Sequence, residues 1–182
     1  MPKIEELPLN NMISKEETLI ELMDSYGDMV KKLAFTYVKD LSTAEDIAQD
    51  VFISCYYNLH QFEERSSYKT WIFRITINKS KDVLKSSAFK RLLPMKKFAI
   101  KSNEKNPELK LIDKDRRSSV TQSLMSLNPK YRTIIYMFYY EGLKIKEISE
   151  ITQLNENTVK TRLSRGKEQL KKEFERRGIE HE

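Results

Sequence analysis

The side chains available for chemistry in this chain are few in kind. Its 182 residues hold two histidines, His60 and His181, and one cysteine, Cys55. No His, Cys and carboxylate set has the spacing of a metal site, and no glycine-rich phosphate loop appears among only four glycines. The sequence therefore implies neither an enzyme nor a cofactor. What it does offer is hydrogen bonding to a polyanion. At about 100° per residue, Asn157, Lys160, Thr161, Ser164 and Arg165 fall on one side of a helix. Amide, hydroxyl, ammonium and guanidinium donors near the start of one helix are the groups that read base edges in a DNA major groove. A charged helix face is also what an ordinary bundle shows to water, so spacing alone leaves both readings open.

The elements that would position those donors can be read from the apolar residues around them. On the opposite edge Val159, Leu163, Leu170 and Phe174 recur at roughly helical intervals, with Gly166 in the same stripe. Upstream, Ile145, Ile148 and Ile151 stand three apart, and a polar connection through Gln153 leads to Asn155, a residue suited to capping the second helix. Residues 144–170 thus predict a helix-turn-helix. Glycine inside its second helix should cost about 1 kcal/mol unless close packing requires it.

Two further polar stripes are predicted. Ala44, Ile47, Ala48, Val51, Phe52, Cys55 and Leu59 form the apolar face of one helix, and Asp46, Gln49 and Asp50 gather on the opposite face. A compact acidic and amide patch suits a basic protein partner, or simply water. After the polar loop HQFEERSS at 60–67, which contains Phe62 and Arg65, a long helix carries Arg74, Asn78, Lys81 and Lys85 at intervals of four, three and four. These project together and could follow a phosphate backbone.

Composition points to an all-α protein: four glycines, five prolines, 33% charged residues and little strand-like alternation. Ser14 with Glu17, and Ser42 with Glu45, have the spacing of capping boxes, and Asn128-Pro129 reads as a cap followed by the first helical residue. Gly142 is placed to end the helix that follows, in a left-handed conformation. Periodicity fades over 89–112, where prolines and asparagines sit among lysines. The expected organisation is two small helical domains joined by a flexible basic linker, the C-terminal one containing the helix-turn-helix. Residues 1–13 form a flexible lead, 14–88 the first domain, 89–112 the linker and 113–178 the second domain.

Lys and Arg number 33 against 27 Asp and Glu, a formal net charge of +6 that suits a polyanionic partner. The basic excess is concentrated between residues 79 and 117. A single cysteine in an apolar helical stripe implies a buried thiol in a reducing compartment. With no secretory signal and no apolar run near the roughly 20 residues needed to span a bilayer, the expected place is the cytoplasm, without direct membrane insertion.

Four stretches together resemble the extracytoplasmic-function sigma factors of bacterial RNA polymerase: AEDIAQDVF at 44–52, YKTWIFRITINKSKDVLK at 68–85, LNPKYRTII at 127–135 and TVKTRLSRGKEQL at 158–170. The resemblance implies a subunit that binds core RNA polymerase, recognises the −35 and −10 elements of promoter DNA and promotes melting and transcription initiation. It implies polymerase docking through Asp46, Gln49 and Asp50. Capture and handling of the −10 strand would fall to the loop with Phe62 and Arg65 and to the helix with Arg74, Asn78, Lys81 and Lys85. Reading of the −35 duplex would involve Asn157, Lys160, Thr161, Ser164 and Arg165. It also implies an anti-sigma factor as partner, often membrane-tethered in such proteins. The alternative is a stand-alone helix-turn-helix transcriptional regulator whose N-terminal half dimerises or senses a ligand.

Overall fold

Ser14 opens the first helix as its spacing predicts. Its backbone N–H donates to the Glu17 carboxylate at 2.7 Å, and the Glu17 N–H donates to Ser14 Oγ at 3.0 Å, which satisfies two donors that the first turn leaves without partners. The structure is a computed structural model that describes residues 14–62, 67–86 and 116–178. The lead 1–13, the linker 89–112 and Arg65 lie outside the described residues. Among those described, the chain is helical throughout, with no strand.

Helix α1 runs Lys15–Val38 and stops where Lys39 turns left-handed, at φ 56°. Helix α2, Leu41–Asn58, does not use the predicted Ser42–Glu45 box. Its cap is Asp40, whose Oδ1 accepts from the Thr43 N–H at 2.9 Å and from the Thr43 hydroxyl at 2.6 Å. An ionised carboxylate that accepts two bonds also complements the positive end of the helix, so it outcompetes a hydroxyl two residues later. A short 3₁₀ turn, Leu59–Gln61, follows. Helix α3, Tyr68–Lys85, is capped by the Ser67 hydroxyl. The three helices close around Val30, Leu33, Ala34, Ile47, Val51 and Phe73, all nearly inaccessible to water. Cys55 is among these buried residues, and burial pushes its thiol up to about 12.

The second half contains α4 (Arg116–Ser126), α5 (Pro129–Ile135), α6 (Ile145–Thr152) and α7 (Glu156–Arg176). Asn128 caps α5, with its side chain accepting from the Lys130 N–H at 3.1 Å. Beyond Ile135 the backbone loosens into a π turn, Tyr136–Tyr140, which the side-chain spacing did not signal. Gly142, at φ +66°, then reverses the chain as expected.

The two halves pack on one another. Ile134, Tyr136, Met137, Leu143 and Ile148 belong to the same buried cluster as the α1–α3 core, while Leu124, Leu127, Tyr131 and Ile135 form a smaller one beneath α7. At the junction Arg132 is fully buried, and no carboxylate pairs with it among the described residues. Its Nε donates to the Thr36 carbonyl near the end of α1, and its Nη1 donates to the Met125 and Leu127 carbonyls at the end of α4, at 2.7 and 2.9 Å. Helix ends leave such carbonyls without partners and carry partial negative charge, so together they stand in for a counter-ion. Burial lowers the guanidinium to about 10, which still leaves it charged at neutral pH.

Candidate nucleic-acid interface

The predicted helix-turn-helix is present as α6 and α7. The Lys144 N–H donates to the Glu147 carboxylate at 2.7 Å at the start of α6. The turn is made by Gln153 in the left-handed region, at φ 57°, and Asn155 caps α7 by accepting from the Thr158 N–H at 2.7 Å. Ile148, Ile151 and Val159 are buried and fix the crossing of the two helices.

Gly166 is also buried, and the reason is steric. A Cβ there would stand 2.8 Å from Ile135 Cδ1, 3.2 Å from its Cγ1 and 3.3 Å from Tyr131 Cβ. Close packing of α7 on α5 therefore requires the glycine, and that contact orients the opposite face. On that face Asn157, Lys160, Thr161, Ser164 and Arg165 are all exposed, so the structure brings the five predicted residues together. Thr161 donates its hydroxyl to the Asn157 carbonyl at 2.8 Å, which leaves its oxygen free to accept.

Beside this face lies an open cleft that the helical pattern of α7 alone could not reveal. Lys130 and Tyr131 of α5 line it together with Asn155, Thr158, Arg162 and Arg165. The Lys130 ammonium lies 4.8 Å from the Tyr131 ring centre. Burial raises the Tyr131 phenol, but Lys130 and Arg165 beside it outweigh that and hold it below its ordinary value. A cleft carrying Lys130, Arg162 and Arg165 around a phenol is suited to a phosphate or a base edge. Arg162 is the charged new member on α7 itself, beside the new Thr158. It lies four residues after Thr158, so its spacing was readable.

The acidic patch is as predicted: Asp46, Gln49 and Asp50 are exposed on α2. One and two turns further along the same face stand Ile53 and Tyr57, 53% and 67% exposed, which extends the patch with apolar surface that the sequence reading left out.

The α3 stripe is divided. Asn78, Lys81 and Lys85 are exposed, and Asn78 lines a groove between α2 and α3 with Ser54, Asn58, Trp71 and Ile75. Arg74 instead donates from Nε to the Glu150 carbonyl of α6 at 2.9 Å. Phe62 stacks on Tyr68, with ring centres 4.2 Å apart, and leans on Trp71 at 5.3 Å. Its ring is thus part of an aromatic cluster at the head of α3, a surface on which a base can stack.

Comparisons with known proteins fit this geometry. Residues 22–89 match the family described as Sigma-70 region 2, and residues 117–170 match Sigma-70, region 4. The chain is similar to ECF RNA polymerase sigma factor SigW of Bacillus subtilis, 29% identical over 168 residues that span 87% of this chain and 90% of that protein. It is also similar to RNA polymerase sigma factor SigV of the same organism, 33% identical over 134 residues, 74% of this chain and 77% of that one. Among solved structures it resembles CnrH in complex with the cytosolic domain of CnrY, with TM-score 0.63, 19% identity and 86% of each chain covered. Sigma factor RpoE in complex with the anti-sigma factor NepR from Bartonella quintana gives TM-score 0.65 and 17% identity, covering 87% of this chain and 98% of that one. At these identities the structural likeness is one of fold.

Proposed function

Because the chain belongs to the extracytoplasmic-function sigma factors, alternative RNA polymerase sigma factors that direct promoter recognition, we propose a division of labour among its exposed surfaces. The observation that carries the proposal is the α7 face. Asn157, Lys160, Thr161, Ser164 and Arg165 stand clear of the core while Val159 and Gly166 behind them are buried, the arrangement by which a recognition helix enters a major groove. This face, with Lys130 and Arg162 at its flank, reads the duplex −35 element.

Asp46, Gln49 and Asp50, extended by Ile53 and Tyr57, dock on core polymerase. Charge at the rim of that contact guides encounter, and the apolar end supplies buried area. Phe62, Arg65, Arg74, Asn78, Lys81 and Lys85 handle the −10 strand through ring stacking and phosphate contacts, which offset the few kcal/mol or so that unstacking a base requires. The first unit then spans 14–88 and the second 113–178, with 89–112 as the tether between them. No residue of the chain performs a covalent step. Its binding energy opens the promoter, and polymerase does the chemistry.

An anti-sigma partner, the kind of protein bound to RpoE in the solved complex, would silence the chain by covering the α2 surface. The test is run-off transcription from genomic DNA with core polymerase, using wild type and the Asp46→Lys, Asp50→Lys double variant. Wild type should yield discrete new transcripts. The double variant, with unchanged helicity, should neither co-purify with core polymerase nor support them. Tight specific binding of the free protein to duplex DNA with no new transcript on adding polymerase would defeat the proposal.

A further inference from the structure

Arg165 stands exposed on the α7 face assigned to the −35 duplex. An arginine left to itself in water samples many rotamers, and a reader must settle it in one before it can meet a base edge. Its own helix does not settle it. The only carboxylate within a turn of Arg165 on α7 is Glu168, and that group already accepts from the Lys172 ammonium at 2.9 Å.

The side chain that reaches Arg165 comes from α5 instead. Tyr131 is 8% exposed and packs with Leu124, Leu127 and Ile135 beneath α7. A methyl group on Gly166, the residue after Arg165, would stand 3.3 Å from Tyr131 Cβ, so the α7 backbone lies directly on the tyrosine at this point. Tyr131 also lines the open cleft together with Lys130, Arg162 and Arg165, and both Lys130 and Arg165 stand beside its phenol oxygen. Burial of the ring fixes where that oxygen is. Its lone pairs can accept from a guanidinium, and because the phenol is uncharged it holds the arginine without neutralising it and without repelling a phosphate. A carboxylate in the same place would do both.

We propose that Tyr131 is a specificity-determining residue of the −35 reader that acts through Arg165. Its phenol oxygen accepts from the guanidinium and holds it in one orientation on the duplex-facing side of α7, so discrimination at the base pair Arg165 meets depends on a hydroxyl of the neighbouring helix. This rests on the −35 reading given above and adds what fixes one of its cations. Tyr131 is a positioning residue: the guanidinium makes the contact, and the phenol removes the need to order it on binding.

Tyr131→Phe tests this, since it keeps the ring and removes only the oxygen. The first measurement needs no DNA. In the free full chain, nitrogen relaxation of the Arg165 Nε–H group, assigned by its loss in Arg165→Ala, should report a restrained side chain in wild type and a freely averaging one in Tyr131→Phe. Equal order in the two proteins overturns the positioning role. The second uses holoenzyme on the promoter recovered by run-off mapping, with each −35 base pair substituted in turn. The pair met by Arg165 is the one whose substitution weakens wild type but not Arg165→Ala. Tyr131→Phe should bind the unsubstituted promoter about three- to tenfold more weakly, lose discrimination at that pair by a similar factor, and keep it at the others. In the Arg165→Ala background it should change affinity by less than about twofold. Even weakening at every pair, or a full loss in the Arg165→Ala background, overturns the proposal, because the hydroxyl then serves packing or a phosphate. If no −35 substitution weakens wild type, the −35 reading has failed and the specificity role falls with it; the order of the Nε–H group distinguishes that case from a Tyr131 that does not hold Arg165.

Discussion

Gly166→Ala should destabilise this protein, although alanine is the better helix former. At an exposed helix position the change would add about 1 kcal/mol of stability. Here the new methyl would lie 2.8 Å from Ile135 Cδ1 and 3.3 Å from Tyr131 Cβ. The Ile135 terminus can rotate only within a packed cluster, since the residue is 1% exposed. The Tyr131 Cβ is fixed to the α5 backbone, so α7 must shift. Overpacking of this kind costs about 1–3 kcal/mol, which leaves a net loss of up to about 2 kcal/mol. Ile135→Val removes the closest atom and alone should cost about 0.5–1.5 kcal/mol. In the double variant the alanine methyl occupies part of that space, so the two changes should couple favourably by about 1 kcal/mol. Urea unfolding followed by far-UV circular dichroism measures all four corners of the cycle, with m expected to stay constant. If Gly166→Ala instead stabilises by about 1 kcal/mol and adds simply to Ile135→Val, the close contact does not hold α7 in place and the orientation assigned to its polar face loses its basis.

Arg165→Ala should weaken binding to the −35 duplex by about 1–3 kcal/mol if the guanidinium reads a base, measured by fluorescence anisotropy with the promoter recovered from run-off mapping. An equal loss on scrambled duplex would make Arg165 a phosphate contact. Cys55 should be silent to thiol reagents in the folded protein and react as one thiol per chain in denaturant; fast labelling of the native protein would contradict its burial. Its folded pKa, pushed to about 12 from an ordinary value near 9, lies above the unfolded one, so its contribution to stability is complete below pH 9 and is lost as pH rises toward 12. In that window wild type should lose about 1.4 kcal/mol per pH unit more than Cys55→Ala, and parallel pH profiles would refute the assignment.

Features set within a few residues were legible in the sequence. Ser14, Asn128, Gly142 and Asn155 each act through bonds or dihedral angles local to one turn, so type and spacing were enough. Ser42 does not cap, because Asp40 two residues earlier is a stronger acceptor already in reach of the Thr43 N–H. The α7 face was readable because one helix carries it whole. The cleft beside it was not, because Tyr131 and Arg165 meet only when α5 and α7 pack. The same holds for Arg132, whose partner Thr36 is 96 residues away. As a letter in LNPKYRTII it looks like one more surface base, and only tertiary structure turns it into the best buried charge in the junction.

The chemistry of that junction also bears on how easily it opens. Arg132 keeps two of its carbonyl bonds within the second half, so opening exchanges only the Thr36 bond for water. Arg74, on the Glu150 carbonyl, and Lys69, on the Glu141 carbonyl, likewise exchange these acceptors for water or phosphate. At about 0.5–1.5 kcal/mol net per bond, the polar part of closure is worth about 2–4 kcal/mol. Apolar contact adds to these bonds, because Ile134, Tyr136, Met137, Leu143 and Ile148 share one buried cluster with the α1–α3 core; the polar bonds therefore set the geometry of the junction while burial supplies much of its strength.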